Sequence, residues 1–510
     1  MGYTSHIYTK EDFLLLKQHG KKVYIKIQLL NDNLKPINEL SGDVISGDIA
    51  ITSSSLVRRT CNLSINLNKK NSYLLKDKTI WFNKLIKISI GFYSTRTKEI
   101  IYYNCGIYVF DSVSINVDGS NNKMDISCVD LMGNLDATHR GQILGKEKLI
   151  YKTGQNIREQ LIGTVTNYAK LKNYYIDEIG TYYNVKEDNT IPHDIEFDGS
   201  KSVLDAITTL TQLYSFYETF IDVDGTFICQ RMVTKEEEPV MITNELFSQF
   251  VISEKDAYPI TEVYNTIELW GRSIDYDRFA KEGTVTLSGN QYNVTLDNMD
   301  AQIADNTLFG FKLPSTNPAN ATVMINNLGP YPILHPDGKQ IDAGYLGYSV
   351  YIFKYIKQKL YLQGQFEVHA VSMLFNEMPK EEIKDKYRSE FKCDNIFFDV
   401  SPESNFSVEK IGVKATTKSS GEYDNITSDY LGLQRSKYEL YKSAKFTDKL
   451  TLEMIYIPFL TVGVKVEYQP INETQPNQYI ITDINTTISD GIVSTMTVSL
   501  YDTTYLLFYT

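Results

Sequence analysis

From Val23 onward the apolar positions of this chain alternate with polar ones. Val23, Ile25, Ile27 and Leu29 form one such run. Cys61, Leu63, Ile65 and Leu67 form a second, and Ile86, Ile88, Ile90 and Phe92 a third. A period of two puts one face of a strand in a core and the other in water, so residues 22–136 read as several short strands in a small barrel or sandwich. Asp118–Gly119 supplies the positive-φ pair that a two-residue hairpin turn needs. Around Asn156 the period lengthens. Ile157, Leu161, Ile162, Val165, Tyr168 and Ala169 recur at helical spacing, and after Ser200 the residues Val203, Leu204, Ile207, Leu210 and Tyr214 lie on one stripe. That second helix runs into YETFIDVDGTFICQRM, a hairpin turning at Asp224–Gly225.

Residues 256–282 return to a strand pattern (PITEVYNTIELWGRSI). A stretch rich in Asn, Gly and Pro follows, with turns at Pro330, Pro336–Gly338 and Gly344, and its different texture marks it as an insertion. Tyr430, Leu433, Leu440, Tyr441 and Ala444 predict a helix, after which Leu450, Leu452, Met454 and Tyr456 alternate, as do Val462, Val464, Val466 and Tyr468. The chain thus divides into a β-barrel unit (1–148), an α+β unit (149–255), the first strands of a second β-barrel (256–282), an inserted β-module (283–365), a mixed segment ending in a helix (366–445), and the remainder of the second barrel (446–510). The expected class is β-rich α+β, with two similar barrel-type domains.

The two barrel units share wording. DSVSINVDGSNNKMDISCVD (111–130) returns without a gap as DINTTISDGIVSTMTVSLYD (483–502). Asp111, Asp118, Gly119, Met124, Ser127 and Asp130 fall opposite Asp483, Asp490, Gly491, Met496, Ser499 and Asp502, and Ile126 falls opposite Val498. Two Asp–Gly hairpins aligned on their turns will always share something. Here the match extends beyond the turn on both sides, and both copies close a run of strands of similar pattern, which reads as a structural repeat.

Composition narrows the function. A length of 510 residues implies several domains. A formal net charge of −12 disfavours a general nucleic-acid binder, which needs a basic face. The five cysteines (Cys61, Cys105, Cys128, Cys229, Cys393) form no CxxC and no metal-ligand spacing, as expected of a chain folding in a reducing cytosol. No signal peptide and no apolar run long enough to span a bilayer is evident, so no membrane anchor is expected. The six histidines (His6, His19, His139, His193, His335, His369) are scattered. GQILGKEK (141–148) lacks the glycine spacing and the hydroxyl residue of a phosphate loop, and Asp222 and Asp224 are explained by the hairpin turn. No catalytic constellation, cofactor site or metal site is expected.

The order of parts brings in a resemblance. SGDIAITSSSLVRRTCNLSINL with IWFNKLIKISIGFY, then SVLDAITTLTQLYSFYETFIDVDGTFICQRM, then VYNTIELWG, and finally SDYLGLQRSKYELYKSAKFTDKLTLEMIYIPFLTVGVKVEY with QYIITDINTTISDGIVSTMTVSLYD, resemble the central baseplate hub or tail-tip hub proteins of bacteriophages. Residues 284–364 look instead like a β-module of tail-fibre and adsorption proteins. The resemblance implies a structural virion protein, a homotrimer that adapts a sixfold tail tube to a threefold spike or fibre and lets DNA pass. It further implies a place in the tail tip or baseplate after assembly in the host bacterial cytoplasm. The implied partners are the tail tube or distal tail protein, the tape-measure protein, a central spike, fibre or lysin, and DNA in transit. Two other functions stay open: a receptor- or carbohydrate-binding tail protein using Tyr331, Tyr345 and Tyr348 of the module, and a hub with a cell-wall hydrolase role, against which the ending after the last hairpin speaks. Arg58 and Arg59, at the rim of a predicted strand, are candidates for the subunit interface, although their stems could equally cover apolar surface within the chain.

Overall fold

The computed structural model describes the chain from Lys10 to Asp502, apart from residues 19–21, 40–43, 69–79, 118–121, 145–147, 179–180, 183–184, 187–188, 214–216, 232–239, 259, 273–282, 297–301, 348, 366–367, 403, 446–449 and 491. Strands dominate, in several separate sheets. The largest has twelve strands. Seven come from the first unit: β1 (Val23–Leu30), β2 (Pro36–Glu39), β3 (Val44–Thr52), β4 (Arg59–Asn66), β5 (Leu85–Tyr93), β6 (Ile100–Val117) and β7 (Asn122–Asp130). Five come from far along the chain: β8 (Val251–Asp256), β9 (Leu450–Ile455), β10 (Lys465–Tyr468), β11 (Asn477–Ser489) and β12 (Ile492–Asp502). The order across the sheet is β8-β9-β12-β11-β3-β4-β7-β6-β5-β1-β2, with β10 also paired to β11.

Alternation explains the core. Cys61, Leu63 and Ile65 of β4 and Met124, Ile126 and Cys128 of β7 point inward, as do Leu450, Leu452 and Met454 of β9 and Met496, Val498 and Leu500 of β12. All of them join one hydrophobic cluster, so the two barrel units share a core. The run Ile107–Phe110 breaks the alternation because both of its faces are covered. Tyr108 and Phe110 enter the barrel core, whereas Ile107 and Val109 enter the core of the α+β unit.

That α+β unit packs helices α1 (Ile157–Gly163) and α2 (Val203–Gln212) against the hairpin of strands Tyr217–Ile221 and Phe227–Arg231. Both helices start on side-chain caps: Asn156 accepts from the Glu159 N–H, and Ser202 and Asp205 form a capping box. Ile157 and Leu161 of α1 meet Ala206, Ile207 and Leu210 of α2 in one buried layer. The hairpin turns where Asp222 accepts from the amides of Asp224 and Thr226, with Gly225 at φ +82°.

Two expectations need correction here. The segment 256–282 does not open the second barrel. Strand Thr266–Trp270 lies between His369–Phe375 and Ala415–Lys418 in a separate four-stranded sheet whose far edge is Ile396–Val400. The mixed segment 366–445 supplies the rest of that unit: α3 (Glu381–Phe391) brings Tyr387 to one face and α4 (Asp429–Ser443) brings Leu440 to the other. A strand covered on both faces carries no alternation that would name its partner. The strand that does open the second barrel is β8, five of whose six residues fall within the expected α+β unit, 149–255.

The module starting at Gly283 has its own seven-stranded sheet and its own core, including Tyr292, Phe311, Val323, Phe353 and Leu360. It is inserted into a hairpin. Trp270 and His369, on the strands flanking the insertion, are register partners and stack with ring centroids 3.7 Å apart.

Candidate interface site: two registered copies of one strand unit

Strands β3 to β7 and strands β8 to β12 have one topology. The first set runs β3-β4-β7-β6-β5 across the sheet and the second runs β8-β9-β12-β11-β10, every neighbour antiparallel and in the same chain order. The equivalence holds residue by residue. Leu63 pairs with Ile126, and Leu452 pairs with Val498; Ile65 pairs with Met124, and Met454 pairs with Met496. Ile86 lies opposite Tyr108, and Val466 lies opposite Tyr479.

Two of the irregularities repeat as well, while the shifts at Thr486/Ile488 and Ile88/Ser89 belong to one copy each. A bulge between Val44 and Ser46 has its counterpart between Val251 and Ser253, and one between Phe110 and Ser112 has its counterpart between Ile481 and Asp483. A bulge is a one-residue insertion that bends a strand at a fixed place, so shared bulges are stronger evidence of duplication than shared strand order. They also correct the gapless alignment. On β7 and β12 it holds, with Met124, Ser127 and Asp130 matching Met496, Ser499 and Asp502. On β6 and β11 it slips by one, so Asp111 matches Thr482 as the bulged residue, and Tyr108 opposite Asp130 matches Tyr479 opposite Asp502. Asp490 has φ +51°, the left-handed conformation expected of a turn; Asp118, Gly119 and Gly491 lie outside the described residues.

The copies meet inside the chain at β3 and β11. Asp483 to Ser489 run antiparallel to Ser46 to Thr52. The other edge of β11 is held by β12, and its N-terminal end, Asn477 to Ile480, is paired with β10. The sequence pattern shows none of this seam.

Arg58 and Arg59 are not at the surface. They are 4 % and 3 % exposed and tie the barrel to the α+β hairpin. Arg58 Nη2 donates to Glu218 at 2.8 Å, and its guanidinium lies 3.8 Å from the Phe220 ring centroid. The Arg59 side chain donates to the Ile221 carbonyl, while its backbone N–H donates to Asp130 at 2.9 Å. Asp130 also accepts from the Met132 N–H. Burial pushes the Asp130 carboxyl up to about 6 despite those donors and the Arg59 charge. Burial likewise holds the Arg59 guanidinium below its usual range. Partners some 160 residues away in sequence cannot be read from VRRT.

The module tyrosines are not an exposed aromatic patch either. Tyr331 is half-buried with an edge-on contact to Tyr355, Tyr345 is wedged between His335 and Tyr430, and Tyr348 lies outside the described residues. All five cysteines are buried, and burial raises the Cys105 thiol to about 11 and the Cys229 thiol to about 12. Among the described residues no three His, Cys, Asp or Glu side chains converge as metal ligands, and no helix is long and apolar enough to cross a membrane.

A family model described as "Domain of unknown function (DUF5048)" matches residues 403–507, which span α4 and strands β9 to β12. No curated protein matches the chain in sequence. Several solved structures are similar to the chain over most of its length. Tail proteins, a phage baseplate and a PdpA–VgrG complex are among them. The tail protein from Neisseria meningitidis MC58 is 9 % identical with a TM-score of 0.46, over 94 % of this chain and 96 % of that one. The 43 kDa tail protein of prophage MuSo2 from Shewanella oneidensis is 9 % identical with a TM-score of 0.47, over 95 % and 99 %. The Francisella PdpA–VgrG complex in its half-lidded form is 10 % identical with a TM-score of 0.43, over 96 % of this chain and 59 % of that chain.

Proposed function

We propose that this chain is the structural hub of a phage tail tip or baseplate, a homotrimer that adapts a sixfold tail tube to a threefold spike or fibre. The observation that carries this reading is the duplicated five-strand unit, matched in topology, in register over most of its pairs and in two bulges within one sheet. Three such chains around an axis present six near-equivalent units, a platform for a sixfold partner, while the rest of the chain keeps threefold symmetry for another. The tube or distal tail protein and the tape-measure protein belong on the sixfold side, and a spike, fibre or lysin on the other. A formal charge of −12 per chain supports a lumen that repels DNA in transit instead of binding it. The role needs no catalysis, and the packed tyrosines of the module give the receptor-binding alternative no specific support. The hub assembles in the host cytoplasm and works in the virion.

Native mass spectrometry and class averages of the purified full chain test this. A trimeric ring with six similar lobes is the expected result. A monomer at all concentrations, or an elongated stalk, would overturn it.

A further inference from the structure

The seam between the two copies uses one edge of each, and the same two edges recur without a strand partner among the described residues. In the second copy, β11 is paired along one side by β10 and then by β3. In the first, β6 is paired by β5 only as far as Val109; from Ser112 to Val117 that side has no strand partner among the described residues. At the other end of the sheet β8, the counterpart of β3, pairs with β9 and ends the sheet among the described residues. Among the described residues, one chain therefore carries a β11-type edge without its β3 and a β3-type edge without its β11.

Side-chain exposure marks the same vacancy. Ile484, Thr486 and Ile488, which point inward beneath β3, are 3 %, 4 % and 2 % exposed. The counterparts of Ile484 and Thr486 on β6 are Val113 and Ile115. Ile115, on that inward face, is 42 % exposed, and Val113 is only partly buried. Across the vacancy, the chain just past the end of β8 at Asp256 reaches Tyr258, 57 % exposed. Open edges of this kind are natural templates for strand addition.

We infer that β8 of one copy of this chain pairs antiparallel with the 112–117 segment of β6 in a second copy, continuing the sheet in the register of the internal seam. The internal pairs Ile484 with Ile51, Asn485 with Ala50, Thr486 with Ile49 and Thr487 with Asp48 translate into Val113 with Tyr258, Ser114 with Ala257, Ile115 with Asp256 and Asn116 with Lys255. The occupant is a second copy because the internal seam already shows these two edge types fitting each other. The contact is head-to-tail, so repetition must close a ring or grow a filament. Closure at three copies rests on the hub reading above.

Disulfide trapping in the full chain tests the register, since the five native cysteines are buried and do not compete. Asn116→Cys with Lys255→Cys should oxidise to a covalent closed trimer, about tenfold faster than the register-shifted pair Asn116→Cys with Ser253→Cys, because disulfide geometry tolerates little offset. A trimer by light scattering without this preference overturns the seam and leaves the hub reading standing. A cross-linked filament or a ring of another size supports the seam and overturns the trimeric hub. A monomer under every condition overturns both. Ile115→Asp supplies an independent measurement. Loss of the oligomer with an unchanged thermal melt of the isolated chain supports the seam, and a persistent trimer overturns it.

Discussion

Tyr479 occupies in the second strand unit the place Tyr108 occupies in the first. Each is fully buried, and each lies opposite the aspartate that ends its hairpin, Asp130 or Asp502. Around Tyr108 the contacts reach beyond the sheet. Tyr108 Oη donates to the Cys105 carbonyl at 3.0 Å, near the buried Arg59 and Asp130 that anchor the α+β unit. The duplicated frame thus keeps backbone register, and in the first copy its rim anchors the α+β unit.

Arg58 should matter for the single chain and not for assembly. Removing its side chain leaves Glu218 without its cation, uncovers Phe220 and opens a buried gap. Breaking a buried pair by deleting one partner costs on the order of 3–5 kcal/mol, and the lower end applies because Glu218 keeps 19 % exposure. Arg58→Ala should lower the melting temperature while the oligomer measured by light scattering stays the same. A changed oligomer with an unchanged melt would return this residue to the subunit interface.

Asp130 should give stability a reversed pH slope. Its folded-state value, about 6, lies above the ordinary 3.8, so between those values the folded chain binds more protons than the unfolded one. Stability from this group is therefore full below about pH 4 and declines as pH rises to about 6, by roughly 3 kcal/mol in total at 1.36 kcal/mol per unit. Asp194 works the other way: its bonds to Lys152 and Thr153 lower it to about 2, and that contribution is lost as pH falls below 4. The difference between the denaturation profiles of the parent chain and Asp130→Asn isolates the first effect. The difference should be flat above pH 6 and change between pH 4 and 6; a difference independent of pH would mean that Asp130 titrates normally.

The module should be removable. Its flanking strands are already hairpin neighbours, with Trp270 opposite His369, so a short turn can replace residues 273–366 without moving either strand. The deletion loses the contacts of Tyr345 with Tyr430 and of Gln365 with Asp429, all on the module's near side. Size-exclusion chromatography and thermal melting should show a folded oligomer with a modestly lower transition. Aggregation would show that the module completes the core of the four-stranded unit.

Much of this was legible in the chain itself, and for a simple reason. Period-two runs such as Cys61–Leu63–Ile65 and helical stripes such as Ile157–Leu161–Val165 need only one buried face, and a buried face is written locally. The Asp222–Gly225 turn and the caps at Asn156 and Ser202 are equally local. The repeat was visible too, but its register was not. Asp111 aligned with Asp483 because the text has no gap there, while the bulges place Asp111 with Thr482. Tertiary structure alone decided which distant strands meet. Thr266–Trp270 pairs with His369–Phe375 and not with the barrel, β8 lies on a strand from the far end of the chain, and Arg58 finds Glu218 inside the molecule. A strand's sequence specifies which of its faces avoids water, but its edges carry the same amides and carbonyls whatever the residue, so partner choice depends on the packing of the whole sheet.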